Sequence, residues 1–231
     1  MSEAGRRLLP HARRILRVQQ EALAAFGDPC ATGTIRLGAH DEYVSGYLPQ
    51  ILRRFAKAYP GITVELISDT SPELGKRMAN GELDLMITTD NEAGPGGVVL
   101  YREQAVWVSS ARHDVHLEDP VPLALYHEGC WYRRWGTNLL EQRGRDYRVA
   151  YVILSLTSVD AVVRAGLAVA IMNRGSVRPE YRVLTEEDGF PALPNFDIKL
   201  QRRAHGDPDL LDRLEAHIVE SFRGPIELIA A

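Results

Sequence analysis

Apolar and polar positions alternate along the chain in a way that separates strands from helices. Residues 34–37 form a β-rich run that ends at Gly38, and the polar residues 40–42 follow as a loop. Apolar residues then recur near the helical period of 3.6 until Pro60-Gly61 ends the helix, and residues 62–68 alternate as a strand does. This is a βαβ unit. Its polar loop lies at the carboxyl end of the first strand, where open α/β sheets bind ligands.

The rest of the chain repeats this strand and helix alternation. Further strands are predicted at residues 84–88, 98–110, 122–126, 148–154 and 167–172, with an extended segment at 197–204. Helices are predicted from Thr70 or Ser71 to Gly81, and at 132–142, 155–166 and 208–222. The 98–110 strand is long enough to cross into a second unit. We therefore expect two α/β lobes, joined by two crossing strands and separated by a cleft.

The first residues predict a helix with a heptad stripe. Residues 2–26 place Gln19 as a polar position in a seam of apolar residues with 3-4 spacing: Leu9, Ala12, Leu16, Leu23 and Phe26. Such a stripe either pairs with a helix of another chain, which we favour, or packs on its own domain. The predicted divisions are a linker helix and hinge at 1–29, a first lobe at 30–108, a second lobe at 109–190, and a return to the first lobe at 191–231.

Composition restricts the class of protein. A net charge of −4 provides no global basic field for nucleic acid or anionic lipid, and no apolar run approaches the ~18 residues of a membrane span. The arginine-rich start lacks the apolar core of a signal peptide, which indicates a cytoplasmic protein. Cys30 and Cys130 are then expected to be reduced thiols.

Motifs for catalysis, cofactors and metals are absent from the sequence. There is no nucleotide-binding glycine pattern, no nucleophile elbow and no convergent acid–base set. His113 and His116 are a weak metal pair without a third ligand nearby. We expect no cofactor, no metal and no enzyme activity.

Several of these segments resemble one family. The run of residues 33–61, with Leu48-Pro49, Phe55 and Tyr59-Pro60-Gly61, is similar to the start of the effector-binding domain of LysR-type transcriptional regulators. Residues 73–89 and the helix–Gly–strand element at 159–172 continue the resemblance over nearly the whole chain. The 41–49 loop, the 100–108 strand and residues 188–194 resemble the subgroup of motility, virulence and surface-trait regulators.

The resemblance implies a type 2 periplasmic-binding-protein-like fold with a small-molecule effector between the lobes. Residues 2–16 look like the junction of a winged helix-turn-helix with its linker helix, so the DNA-binding domain is expected to be missing here and DNA is a partner only through it. The family's paired domains imply a homodimer or homotetramer. The implied interface consists of Tyr47, Gln50, Ile51, Arg54, Val159, Val162 and Val163.

Candidate effector contacts lie at strand ends and helix starts. Residues there either cap the helix or hold a ligand, and both alternatives stay open at this stage. The guanidinium of Arg133 or of Arg134 could pair with a carboxylate, either of the ligand or of residue 41 or 42 across the cleft. The candidates are Asp41, Glu42, Tyr43, Thr70, Ser71, Thr88, Cys130, Arg133, Thr157 and Ser158.

Two other classes of protein remain as alternatives. One is a free solute-binding protein without a regulatory role, which the heptad helix argues against. The other is an enzyme on the same fold, such as a deaminase or dehydratase, which the missing acid–base set argues against.

Overall fold

The structure is a computed structural model that describes residues 31–89, 96–204 and 207–223, together with separate positions between 2 and 15. Its strands are β1 (Gly33–Ala39), β2 (Ile62–Ser68), β3 (Leu85–Thr89), β4 (Val98–Ser110), β5 (Val121–Tyr126), β6 (Tyr147–Ile153), β7 (Val169–Asn173), β8 (Tyr181–Leu184) and β9 (Asn195–Arg202). Its α-helices are α1 (Asp41–Gly46), α2 (Leu48–Ala58), α3 (Ser71–Ala79), α4 (Trp131–Arg143), α5 (Leu156–Arg164) and α6 (Pro208–Arg223). Short 3₁₀ turns are at Val115–Leu117, Arg174–Ser176 and Glu186–Asp188.

The strands form two halves that share β4. The order is β2-β1-β3-β9-β4-β7-β5-β6, with β8 also paired to β4. The first part of β4, Val98 to Gln104, pairs antiparallel with β9, whereas Ala105 to Val108 pairs with β7. The β1–β2, β1–β3, β5–β6 and β5–β7 pairs are parallel. Strand β4 therefore crosses between the lobes, as its length predicts.

The returning chain crosses beside β4. The indole Nε1 of Trp107 donates to the carbonyl of Pro191 at 3.0 Å, and the Ala105 N–H donates to the carbonyl of Pro194 at 3.3 Å. Phe190 is fully buried, with its ring centroid 5.3 Å from that of Trp107. The two crossing segments thus pack against each other. They form a short connection through which the position of one lobe constrains the position of the other lobe.

Each lobe buries one face of its helices on the sheet. In the first lobe, Leu48, Ile51 and Phe55 of α2 are buried, which explains their helical spacing. Gly38 lets α3 approach, since a Cβ there would lie 2.6 Å from Leu83 Cδ1 and 2.9 Å from Leu74 Cδ2. In the second lobe, Val159 and Val163 of α5 are buried.

The predicted polar loop at residues 40–42 is wrong. His40 has an extended backbone and occupies the N-cap position of a short helix, so Asp41 and Glu42 lie in the first turn of α1. This helix stops at Tyr47, and α2 starts at once with Pro49 in its first turn, where a missing N–H costs nothing. The change matters because a helix, unlike a loop, orients successive residues about 100° apart.

The predicted heptad seam lies outside the described residues, as do Cys30 and most of the predicted hinge. The described positions Ala4, Gly5, Arg7, Leu8, His11 and Ile15 are helical. Leu8 and Ile15, seven residues apart, are 64% and 67% exposed. Among the residues described above, no helix combines the length and the apolar character that a membrane crossing requires.

Candidate functional site: the inter-lobe cleft

A nearly closed cleft lies between the lobes, at the ends of β1, β2 and β3 in one lobe and of β5 and β6 in the other. Its volume is about 30 Å³, room for one or two water molecules at ~10–15 Å³ each. A larger ligand therefore requires the lobes or the lining side chains to move apart. The lining residues are His40, Glu42, Tyr43, Thr70, Ser71, Thr89, Tyr126, His127, Cys130, Trp131, Tyr132 and Leu154.

Glu42 connects the lobes at the centre of this cleft. Its side chain comes from α1 in the first lobe and is 1% exposed. The hydroxyl of Tyr126, at the end of β5, donates to one carboxyl oxygen at 3.1 Å. The hydroxyl of Tyr132, in α4, donates to the other at 3.3 Å. Both donors belong to the second lobe, so these bonds exist only when the cleft is closed.

Burial makes Glu42 a weak acid. Removal from water raises the pKa of Glu42 to about 8, and the negative charge of Asp41 adds to this, while the hydrogen bonds from Tyr126 and Tyr132 oppose it. The carboxyl group is therefore mostly protonated near neutral pH. Burial also raises the pKa values of Tyr126 and Tyr132 well above their ordinary value, so both phenols remain hydrogen-bond donors.

Asp41 forms a second connection between the lobes. Its Oδ2 accepts a hydrogen bond of 2.7 Å from the backbone N–H of Leu156, the first residue of α5. A carboxylate at a helix N-terminus satisfies an unpaired N–H and interacts favourably with the helix dipole. Asp41 Oδ1 lies 3.1 Å from Nδ1 of His40. Asp41 therefore caps a helix of the opposite lobe rather than its own helix.

Aromatic rings form much of the cleft wall. The ring centroids of Tyr126 and Tyr132 are 5.9 Å apart, and those of Trp131 and Tyr132 are 3.8 Å apart. On the facing lobe the ring centroids of His40 and Tyr43 are 6.1 Å apart. Burial lowers the pKa of His40, against the attraction of Asp41. The wall thus combines aromatic rings with polar groups such as the carboxyl group of Glu42 and the hydroxyl of Thr89.

The hydroxyl groups at the start of α3 and the end of β3 face the same space. Thr70 is the N-cap of α3, but its side chain makes no capping hydrogen bond, and Pro72 removes one donor from the first turn. Thr89 borders the cleft, is 3% exposed, and its Oγ1 has no hydrogen-bond partner among the described residues. The predicted Thr88 is fully buried and does not border the cleft, although its Oγ1 is also unpartnered there.

The structure brings together five of the predicted effector contacts and leaves five outside the lining. Glu42, Tyr43, Thr70, Ser71 and Cys130 border the cleft. The others, Asp41, Thr88, Arg133, Thr157 and Ser158, do not. Ser158 lies in the first turn of α5, and its N–H donates to the capping Ser155 Oγ at 3.2 Å.

Arg133 does not pair with a carboxylate across the cleft. Its guanidinium donates to the backbone carbonyl of Tyr126 at 3.2 Å and lies 3.9 Å from the exposed Glu128 of its own lobe. The groups that actually meet Asp41 and Glu42 are a backbone N–H and two phenols. Neutral donors thus occupy the place that we predicted for a charged one.

Sequence reasoning assigned Cys130 of the second-lobe wall to the site but not the aromatic residues around it. The lining residues that were not among the predicted contacts are His40, Thr89, Tyr126, His127, Trp131, Tyr132 and Leu154. The aromatic run at 130–135 was the available signal, but it also fits a lobe core. Tyr126 and Tyr132 lie 84 and 90 positions from Glu42, so no local pattern could pair them.

Metal ligands do not converge in the described part of the chain, where no group of three His, Cys, Asp or Glu side chains is placed to hold an ion. Nδ1 of His113 instead lies 3.0 Å from Ser110 Oγ, and the His116 side chain is buried.

The two-lobed fold and its cleft define a class of ligand-binding regulatory domain, and comparison with known proteins identifies the family. Residues 31–223 match the LysR substrate binding domain. The chain is 34% identical over 201 residues to the HTH-type transcriptional regulator DgdR of Burkholderia cepacia, covering 87% of this chain and 68% of that protein. It is 30% identical over 223 residues to the HTH-type transcriptional regulator PecT of Dickeya dadantii, covering 96% and 71%.

Solved structures agree on the fold. The C-terminal domain of a probable LysR family transcriptional regulator from Rhodococcus sp. RHA1 superposes with a TM-score of 0.65 at 21% identity, covering 81% of this chain and 99% of that one. The regulatory domain of CcmR from Synechocystis, solved in complex with 2-PG, gives 0.66 at 18% identity, covering 84% and 99%. The chain belongs to the LysR family of transcriptional regulators and carries its substrate-binding domain. The predicted fold class is confirmed.

Proposed function

We propose that this domain is a sensor whose small-molecule effector binds in the inter-lobe cleft and changes the angle between the lobes. One observation carries the proposal: two successive residues of α1, Asp41 and Glu42, bond to the opposite lobe around a cavity lined by polar and aromatic groups. A ligand that enters the cleft must replace or rearrange these bonds. It therefore has different affinities for the open and closed forms, which is what shifts an equilibrium between them. The role is binding rather than catalysis.

The regulatory output follows from the family. In the proposed mechanism, the lobe angle alters contacts between copies of the chain, and these alter DNA binding by a helix-turn-helix domain N-terminal to this one. Ligand and DNA then affect each other's affinity to the same extent, as linkage requires. A cytoplasmic location is part of this proposal.

A matched pair of threonines tests the site. Thr88 and Thr89 are adjacent, buried and unpartnered, but only Thr89 borders the cleft. We expect a thermal-shift screen of metabolite mixtures to find a stabilising ligand, and we expect Thr89→Val to weaken the response several-fold while Thr88→Val preserves it. Equal responses of the two variants, or protection from hydrogen exchange that avoids both cleft walls, would place the ligand elsewhere.

Self-association is the second part of the proposal. Of the predicted interface residues, Tyr47, Ile51, Val159 and Val163 are buried in the chain's own core. An interface on α2 and α5 would therefore use the outer faces of these helices, including the exposed Arg54. The exposed Leu8 and Ile15 also suit a helix pair between chains.

Charge substitutions test this interface. We expect Arg54→Glu on α2 and Ala161→Glu on α5 to lower the mass of the assembly in light scattering. Lys76→Glu on α3 changes an exposed cation in the same way and is the control. A full-size assembly in both helix variants would show that the interface lies on another face.

A further inference from the structure

The cleft contains a carboxyl group but no positive side chain. Among the described residues that border it there is no lysine or arginine, and burial lowers the pKa of His40, which leaves that ring neutral at pH 7. Glu42 borders the cleft, whereas the carboxylate of Asp41, its neighbour in α1, lies outside the lining and bonds to the Leu156 N–H. An entering anion would therefore find no side-chain cation on the described cleft wall to bind.

We propose that the effector carries an ammonium group, which binds between the Glu42 carboxylate and the rings of Tyr126, Trp131 and Tyr132. This inference rests on the proposed function and specifies the chemical class of the ligand. An N–H⁺ donor adds a charge-assisted hydrogen bond to a carboxylate that accepts two phenol hydroxyls from the described residues. The small cavity favours a compact amine over a larger ligand.

The aromatic wall supports a cation in this position. Tyr126, Trp131 and Tyr132 form a continuous group of rings, with neighbouring centroids at 3.8 and 5.9 Å, and Tyr43 faces them from the first lobe. Aromatic faces attract ammonium ions through their quadrupoles, and the attraction grows when water is excluded. All four of these rings are at most 5% exposed.

Amine binding should release a proton. Without ligand, the buried carboxyl group of Glu42 holds its proton up to about pH 8. An ammonium beside it stabilises the carboxylate, so the carboxyl proton leaves to solvent and the ammonium keeps its own. The other titratable groups whose charges act on Glu42 include Asp41 beside it, Glu103 from β4, the phenol of Tyr47 that donates to Glu103, and the phenols of Tyr126 and Tyr132. Burial raises the pKa of each of these three phenols, so all three remain protonated at neutral pH.

An ammonium group can belong to a simple amine or to an amino acid. In the second case, the carboxylate has donors at the start of α3 and at the unpartnered Thr89 hydroxyl. Three probes of similar size separate these sources: ethylammonium carries only the cation, propionate only the anion, and alanine carries both.

Calorimetry of the purified chain with these probes tests the inference. We measure binding at about pH 6.5 in two buffers of different ionisation enthalpy, since the buffer dependence counts released protons. We expect alanine or ethylammonium to bind with release of close to one proton per site, and propionate not to bind. Binding of ethylammonium would identify the ammonium alone as sufficient, and binding of alanine alone would identify an amino acid.

Glu42→Gln is the decisive variant, because the amide imitates the protonated carboxyl group and should fold. We expect it to weaken amine binding by about thirtyfold or more and to abolish proton release. Glu128→Gln, whose side chain is 92% exposed on the adjoining loop, should change neither. The inference would be overturned by unaltered amine binding in Glu42→Gln, or by propionate binding more strongly than the two ammonium probes. Binding of neither ammonium probe to the wild type would also overturn it. If a ligand without an amine binds and Thr89→Val weakens its binding, the proposed sensor function is still supported.

Discussion

Replacing Glu42 by glutamine should remove a pH dependence of stability that is specific to the closed cleft. The folded chain keeps a proton on Glu42 between its ordinary pKa of 4.5 and about 8, whereas the unfolded chain loses it at the ordinary value. Stability from this group is therefore fully present below the ordinary pKa. It declines as pH rises and is lost once pH passes the folded-state pKa.

The magnitude follows from the size of the shift. Each pKa unit corresponds to about 1.36 kcal/mol, so the full range is roughly 5 kcal/mol. Between about pH 6 and pH 8 the expected loss is roughly 2 kcal/mol, or about 4–8 °C in melting temperature for a chain of this size. Because Glu42 is 1% exposed, solvent screening reduces this little.

Urea unfolding of wild type and variant over this pH range measures the effect. Buried histidines contribute with the opposite sign: burial lowers the pKa values of His40, His116 and His217, so their contribution to stability grows as pH rises. The informative quantity is therefore the difference between wild type and Glu42→Gln. We expect the variant to gain roughly 2 kcal/mol relative to wild type from about pH 6 to pH 8. The exposed Glu65→Gln on β2 is the control, and equal pH profiles for all three proteins would show that Glu42 does not cause this pH dependence.

Three further predictions concern packing and buried polar groups. Gly136→Ala should lower the free energy of unfolding by about 1–3 kcal/mol, because the new Cβ would lie 2.4 Å from Ile171 Cδ1 and 2.9 Å from Trp107 Cη2. Gly75→Ala in α3, where a Cβ meets nothing within 4 Å, should raise the free energy of unfolding by up to about 1 kcal/mol. Urea unfolding measures both changes. Asp84→Ala should cost about 2–4 kcal/mol by the same assay, since its 5%-exposed side chain holds Arg36 at 3.2 Å and Arg203 at 2.9 Å. Burial alone would raise the pKa of Asp84, but the bonds from Arg36 lower it, so this contribution should fade only as pH falls below the ordinary value of 3.8. Thr88→Val and Thr89→Val should each raise the melting temperature, since each removes a buried hydroxyl that has no partner among the described residues. A lower melting temperature in both variants would indicate that bound water satisfies these hydroxyls.

Much of the fold could be predicted from local pattern. Strands β2 and β4 lie at the predicted positions, 62–68 and 98–110. The apolar and β-branched residues of these runs predict them, although the last six residues of β4 are buried on both faces. Helix α3 starts after Thr70 with Pro72 in its first turn, as capping preferences predict. Strand β8 and the 3₁₀ turns were missed, since four or three residues are too few to show a period.

The candidate site was predicted more fully on the first-lobe side than on the second, where only Cys130 of the four predicted contacts borders the cleft. Strand ends and helix starts pointed to the first-lobe lip, because that rule depends on neighbours in sequence. The partners of Asp41 and Glu42 come from α5, β5 and α4 of the other lobe, so their identity depends on how the lobes close. The same reason explains why Arg133 does not bond to Asp41 or Glu42: the backbone carbonyl of Tyr126 in its own lobe is a nearer acceptor.

The most direct test of the sensor account is native mass spectrometry of the purified chain, read first as the intact assembly and then under conditions that release small molecules. We expect a dimer or tetramer that releases a compound of defined mass from the wild type and from Thr88→Val, and much less of it from Thr89→Val. A bare monomer, or a compound retained equally by both threonine variants, would contradict the assignment of the inter-lobe cleft as an effector site.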